Sequence, residues 1–169
     1  MPTIRSARED EAAEIAAVGM RAWASAVAGW EDAELMRGNA ERAFANFTRN
    51  SFLTIDIAEQ GGQIIAWAAR ENFYNHITDL WVDPMWQGQG VGRILLAKQE
   101  EEIVAQGYDS VRIETHSQNA RAIEFLQHQG YAIRWMTAVW SPQLDRDVDT
   151  VGLVKPLEVQ EKSFVYAEF

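Results

Sequence analysis

Between residues 80 and 93 the chain reads Leu-Trp-Val-Asp-Pro-Met-Trp-Gln-Gly-Gln-Gly-Val-Gly-Arg, an apolar β-like run that turns at a proline and enters alternating glycines. No other segment constrains the fold as much. Glycines at 88, 90 and 92 leave backbone N–H groups uncovered where a helix begins, and unpaired donors plus the positive end of the helix dipole attract an anion there. The spacing overlaps the dinucleotide and P-loop patterns. It lacks the Lys-Ser/Thr ending of a P-loop, however, and it sits in mid-chain after the hairpin signal Gly61-Gly62 rather than after a first strand.

At 169 residues the sequence has the size of one domain and can bury a substantial core, so one domain spanning 1–169 is expected. No apolar run is long enough to span a bilayer, and residues 1–5 (Met-Pro-Thr-Ile-Arg) open no apolar signal region; the expectation is a cytoplasmic chain without a membrane partner. With no cysteine, disulfides, thiolate metal sites and an acyl-cysteine mechanism are excluded, and no metal site is expected. Fifteen Lys and Arg against twenty-five Asp and Glu give a net charge of −10, which disfavours nucleic acid and favours cationic partners. Seven Trp are present, and Trp23, Trp30 and Trp86 stand near expected helix or loop ends, where they can line a cleft.

Periodicity supplies the remaining elements. Residues 2–8 read as a strand, and Glu9-Asp10-Glu11 as the acidic first turn of a helix reaching residue 30, with Ile15, Val18, Ala22, Trp23 and Val27 along its apolar stripe. A second helix is expected over 33–46, a strand over 52–57, the return strand of a tight hairpin over 63–70, and a loop over 72–75. Then follow a strand over 77–82, a helix from the glycines to 105, a strand over 111–115, a helix over 119–129 and a long strand over 131–140. Residues 142–149 read as a polar loop, 150–154 as a last strand stopped by Pro156, and 157–169 as a tail of open conformation.

Gln87-Gly88-Gln89-Gly90-Val91-Gly92, directly after Val82-Asp83-Pro84, resembles the acetyl-coenzyme A signature of the Gcn5-related N-acetyltransferase (GNAT) superfamily. Downstream, Asn119-Ala120-Arg121-Ala122-Ile123-Glu124-Phe125-Leu126, closing on Gly130-Tyr131, is similar to that family's Asn-x-x-Ala-x-x-Phe-Tyr helix. The resemblance covers about residues 3–156. It implies an α/β (α+β) fold: a mixed, mostly antiparallel central sheet of about seven strands, splayed in the middle and flanked by about four helices. Acetyl-CoA is the implied acyl donor. Its pantetheine arm would pair with backbone at Leu80, Trp81 and Val82, its pyrophosphate with the N–H groups of Gln87, Gly88, Gln89, Gly90, Val91 and Gly92, and Arg93 would add charge. Asn119 would contact the arm or cap its own helix, and Phe125 would pack near the arm.

The implied reaction transfers acetyl to a primary amine of a small molecule or peptide N-terminus by direct attack in a ternary complex; a non-catalytic acyl-CoA-binding module is the rival. Such a transfer needs a neutral nitrogen, an oxyanion donor and an exit for the thiolate. For the donor the resemblance implies a backbone N–H on the strand over 77–82, at Trp81 or Val82. Glu114 is the expected base, by a spacing to Leu126 that resembles the ribosomal-protein N-acetyltransferase branch, with Glu71, Asp79 and His116 competing. Leu126 departs from the pattern, standing where many members carry the tyrosine that protonates the thiolate; Tyr131, Tyr74, Tyr166, Ser117 or a water are the substitutes. The acceptor would be a cationic amine held among Trp23, Trp30, Glu31, Asp32, Phe73 and Tyr74. The aromatic strand over 131–140 and the tail over 163–166 also suggest a homodimer.

Overall fold

The computed structural model describes residues 1–141 and 146–158. Its seven strands form one sheet in the order β1-β2-β3-β4-β5-β7-β6. The strands are β1 (Thr3–Ser6), β2 (Ile55–Gln60), β3 (Gln63–Arg70), β4 (His76–Val82), β5 (Ser110–His116), β6 (Ala132–Ser141) and β7 (Arg146–Pro156). Helices α1 (Ala12–Ala26) and α2 (Ala33–Asn50) join β1 to β2, α3 (Val91–Ala105) follows β4, and α4 (Ala120–His128) follows β5. Every neighbouring pair is antiparallel except β4 with β5. This is the mixed, mostly antiparallel sheet with four helices that the motifs implied.

Central strand β3 is buried from Ile64 to Arg70, and its two faces feed two cores. On one side Ile15 and Val18 of α1 and Phe44 of α2 meet Ile55, Ile57, Trp67 and Ala69. Here α1 comes so close that a Cβ on Gly19 would lie 2.8 Å from Phe44 Cε1 and 3.1 Å from Trp67 Cζ2, so a glycine is required at that crossing. On the other side Val91 and Leu95 of α3 pack on Ala58, Ile65, Ala66 and Ala68. A third cluster joins Leu96 and Ile103 of α3 and Leu126 of α4 to Ile77, Val111, Ile113, Val151 and Leu153. Burial at roughly 25 cal/mol per Å² of apolar surface is what holds both layers to the sheet.

Several boundaries differ from the periodic reading, each for a local reason. The first helix begins as a 3-10 turn over Glu9–Glu11 and ends at Ala26, because Gly29 adopts φ +84° in the following turn. Helix α2 runs four residues beyond 46, its last turn carrying buried Thr48, whose hydroxyl donates to Phe44 C=O at 2.8 Å. Residues 52–54 are a 3-10 turn, not strand, so β2 starts at Ile55. Of the expected loop over 142–149, residues 142–145 lie outside the described residues and 146–149 are strand: β7 starts at Arg146 and pairs with Ser141, since long antiparallel pairing satisfies the backbone of even a polar sequence. Of the expected tail over 157–169, residues 159–169, Tyr166 among them, lie outside the described residues. At the sheet edge β6 exposes Ile133, Met136, Val139 and Trp140, the surface on which the dimer expectation rests.

A buried polar cluster beneath α3 gives the fold a pH signature. Gln99 Nε2 donates to Asp56 Oδ2 at 2.6 Å, and burial, followed by the nearby Glu102 carboxylate, pushes Asp56 from 3.8 up to about 6. A carboxyl with a raised folded pKa contributes stability that is complete below its unfolded value and drains as pH rises through the folded one. Urea midpoints of the wild type should therefore decline between about pH 4 and 6. Asp56→Asn is expected to flatten that decline; an unchanged slope in the variant would refute the assignment.

Candidate active site

Strands β4 and β5 run parallel but pair only at His76 with Arg112 and Ile77 with Ile113. Beyond that point they part. The cause lies in β4: its register against β3 jumps from Ala69↔Asp79 to Arg70↔Ile77, leaving Thr78 as an extra, exposed residue. Such a bulge bends its strand and ends pairing on the far side. Asp83 N–H donates to Ile65 C=O at 2.8 Å, which makes Val82↔Ala66 a pair whose backbone groups point away from β3. By alternation the N–H groups of Leu80 and Val82 face the opening, whereas that of Trp81 faces β3. Of the two expected oxyanion donors, only Val82 has its amide directed into the gap. Its C=O is already held by Gln87 Nε2 at 3.0 Å.

The opening leads into a cleft of about 810 Å³. Leu80, Trp81, Val82, Gln87, Gly88, Gly90, Val91, Gly92, Arg93, Asn119, Phe125 and Trp30 all line it. Gln89 does not; its amide turns outward to Met85 C=O at 3.3 Å. Asp83 anchors the turn before the glycines, accepting from Met85 N–H at 3.0 Å and from Arg21 Nε at 2.9 Å. Pro84 opens that 3-10 turn, and Gly88 and Gly90 then take φ +75° and +82°, conformations costly to any residue with a Cβ. The first helical bond of α3 is Ile94 N–H to Gly90 C=O at 3.1 Å, so the amides of Val91, Gly92 and Arg93 have no acceptor within the helix. Gly92 faces the apolar side of the cleft: a Cβ there would be in ordinary van der Waals contact, 3.5 Å from both Phe125 Cζ and Val82 Cγ2.

Asn119 caps α4, its Oδ1 accepting from Ala122 N–H at 3.3 Å while it faces the cleft, so the two roles expected of it are compatible. Residues the sequence reading did not single out complete the walls: Ser25 and Ala26 of α1, and Gln118, Arg121 and Gln129 around α4. The small residues Ala22, Ser25 and Ala26, spaced i, i+3 and i+4, were the available signal that one face of α1 leaves room. Free amides at a helix start, two nearby guanidiniums, and an apolar passage between Val82 and Phe125 suit a long anionic chain with an apolar arm. The residues present therefore fit acetyl-CoA.

Glu114 is exposed, on the face of β5 opposite Val111 and Ile113. His116 shares that face; its Nδ1 accepts from Gln118 N–H at 3.1 Å, its ring lies 4.7 Å from Trp30, and burial lowers its pKa. Asp79 is held by Trp81 Nε1 at 3.0 Å and Thr78 Oγ1 at 2.8 Å, and burial raises its pKa. None of Glu114, His116 and Asp79 is part of the cleft lining, and of the expected acceptor residues only Trp30 is. Trp23 packs on the α1–α2 core, and Glu31 is exposed in the interhelical turn, where neighbouring Asp32 pairs with Arg146. Tyr74 and Phe73 sit beyond the closed end of the β4–β5 gap, with Glu71 bonded to His76 at 3.1 Å. Leu126 is 3 % exposed within the core, and Tyr131 is buried with its hydroxyl on Glu100 at 3.2 Å, so neither meets the cleft.

The model of the Acetyltransferase (GNAT) family matches residues 18–131. The chain is 25% identical over 122 residues to [ribosomal protein bS18]-alanine N-acetyltransferase of Escherichia coli strain K12, covering 71% of this chain and 82% of that protein. Among solved structures, a PaiA N-acetyltransferase from Thermoplasma acidophilum in complex with coenzyme A superposes with a TM-score of 0.76 at 15% identity, covering 92% of this chain and 99% of that one. The ribosomal-protein-S18-alanine N-acetyltransferase of Escherichia coli superposes with a TM-score of 0.70 at 23% identity, covering 98% and 100%. Asp83→Ala is expected to lose the Arg21 and Met85 bonds and destabilise the protein by about 1–3 kcal/mol, with weakened acetyl-CoA binding. Urea unfolding and calorimetric titration would read both, and wild-type values in each would remove Asp83 as the anchor.

Proposed function

The chain belongs to the acetyltransferase (GNAT) family and is an acetyltransferase with acetyl-CoA as acyl donor, and on that premise we propose that its acceptor is the primary amine of a small molecule or a peptide N-terminus, attacked directly in a ternary complex. One observation carries this reading: the cleft that suits acetyl-CoA is walled by β4 where β4 parts from β5, and β5 bears Glu114 and His116 on its face away from the core. Bound acetyl-CoA supplies an activated thioester. The free amides of Val91, Gly92 and Arg93 hold its pyrophosphate, and Arg93 and Arg121 neutralise charge. The Leu80 backbone pairs with the arm, and Val82 N–H is left to stabilise negative charge developing on the acyl oxygen.

On the acceptor side Glu114 takes the proton from the incoming amine, directly or through a water. The demand on it depends on the acceptor: an α-amine near pKa about 8 is partly neutral at physiological pH, whereas a lysine amine near about 10.4 is not. An exposed carboxylate suits the α-amine better. That preference accords with the relative named for acetylating the alanine of a ribosomal protein, and the net charge of −10 favours a cationic partner. No tyrosine of the described residues reaches the cleft wall as an acid. A thiol of pKa about 8.5 leaves without one, protonated by water.

Calorimetric titration of acetyl-CoA, followed by thiol release with a panel of amines, tests the proposal. Micromolar binding is expected in the wild type and none in Gly90→Glu, where bulk, charge and the φ of +82° all oppose the cradle. Glu114→Gln is expected to lower kcat by about 10²-fold without changing acetyl-CoA affinity. Folded wild type that fails to bind acetyl-CoA would sink the cradle assignment, and full activity in Glu114→Gln would move the base elsewhere.

A further inference from the structure

Gly152 lies inside β7, where a glycine weakens a strand unless something must come close. The close neighbour is Trp135: a Cβ on Gly152 would lie 1.8 Å from Trp135 Cε2 and 2.3 Å from both Cζ2 and Nε1. The indole therefore lies across the backbone of β7. The register makes Gly152 the partner of Trp135 on one side and of Glu114 on the other. Directly opposed residues of antiparallel strands share a face, so Trp135, Gly152 and Glu114 form one row three strands wide. Because the middle residue has no side chain, the indole occupies the space between its own strand and the Glu114 carboxylate.

This row lies on the face opposite the Val151, Leu153 and Ile113 core, and it is open: Arg112, Glu114, Thr137 and Val139 are exposed around it, and Trp135 is half-buried. The same face carries His116, whose ring meets Trp30 at the cleft wall. An aromatic plane thus stands beside a carboxylate where the acceptor must approach. We propose that Trp135, seated on Gly152, is the specificity-determining residue of the acceptor site, the surface against which the first residues of a polypeptide lie while Glu114 faces their terminal ammonium. The inference rests on the acceptor reading above and names its substrate class. One feature selects a polypeptide: among the described residues the shelf is an open strip of sheet, flanked by exposed Arg112, Thr137 and Val139, rather than an enclosed pocket. Ring and carboxylate together complement a cation carried on an apolar stem.

A purely structural role is the competing account, since aromatic side chains also shield strand glycines. Steady-state thiol release from acetyl-CoA with an alanine-initiated hexapeptide separates the two. Trp135→Ala should raise KM for the peptide about tenfold or more with kcat within about twofold and calorimetric acetyl-CoA affinity unchanged. Trp135→Phe should recover most of the loss, and Gly152→Ala, which displaces an intact indole, should reproduce it. Reduced stability in Trp135→Ala with an unchanged peptide KM would overturn the proposal. The Trp135 indole N–H resonance, assigned through Trp135→Phe, should move as the peptide is added; a static resonance beside normal peptide turnover would overturn it too. A saturating shift in a protein that binds acetyl-CoA but never turns over would uphold the shelf and remove the amine-transfer reading. Spermidine moving that resonance while the peptide does not would overturn the polypeptide assignment.

Discussion

Two residue pairs, His76 with Arg112 and Ile77 with Ile113, are all that join β4 to β5, and the working parts of the molecule depend on that shortness. A continuous sheet would spend the backbone groups of Leu80 and Val82 on a neighbour. The extra residue Thr78 prevents this by bending β4 away while its bonds to β3 persist up to Asp83. What would be a costly set of unpaired groups in a closed core becomes the wall of a solvent-filled cleft. The halves remain joined because α3 and α4 pack across the gap, with Leu96, Ile103 and Leu126 meeting Ile77, Ile113 and Val151.

The glycine cradle is coupled to this opening through a few bonds. Asp83, paired with Arg21 of α1, fixes the turn that carries the glycines, and Gln87 returns its amide to Val82. The free edge of β4 and the free amides of α3 are thereby held at one mouth of the cleft. Opposite them stands a different chemistry: the Glu114 carboxylate, the His116 imidazole against Trp30, and the Trp135 indole on Gly152. Donors gather on the side suited to an anion, and acid groups and aromatic rings on the side suited to an amine.

Much of this was legible in the residues. Strand β3 was read to the residue, because Gly61-Gly62 with both φ values positive leaves little freedom in the hairpin. Eleven of the twelve residues assigned to acetyl-CoA line the cleft, the exception being Gln89, whose side chain turns to Met85. Acceptor residues were the poorly read part. Trp23 and Trp30 fall on one amphipathic pattern, yet one packs in the core and the other walls the cleft, since α1 ends between them. Tyr74 looked like a site residue from its loop, but the direction of β4 carries that loop to the closed end of the gap. The polar segment 146–149 hid a strand because its pairing is satisfied by backbone alone.

The sequence by itself determined the local geometry: a turn at Pro84, left-handed glycines at 88 and 90, a helix start rich in free amides, and an Asn119 cap. These depend on steric limits and hydrogen-bond valence within a few residues, which the chain carries wherever it goes. Only the tertiary structure decided that β4 and β5 part after Ile77 and that Trp135 comes over Gly152 in line with Glu114. Those facts depend on register between strands distant in the chain. A shift of one residue there would send every side chain to the other face, and no local pattern encodes the choice.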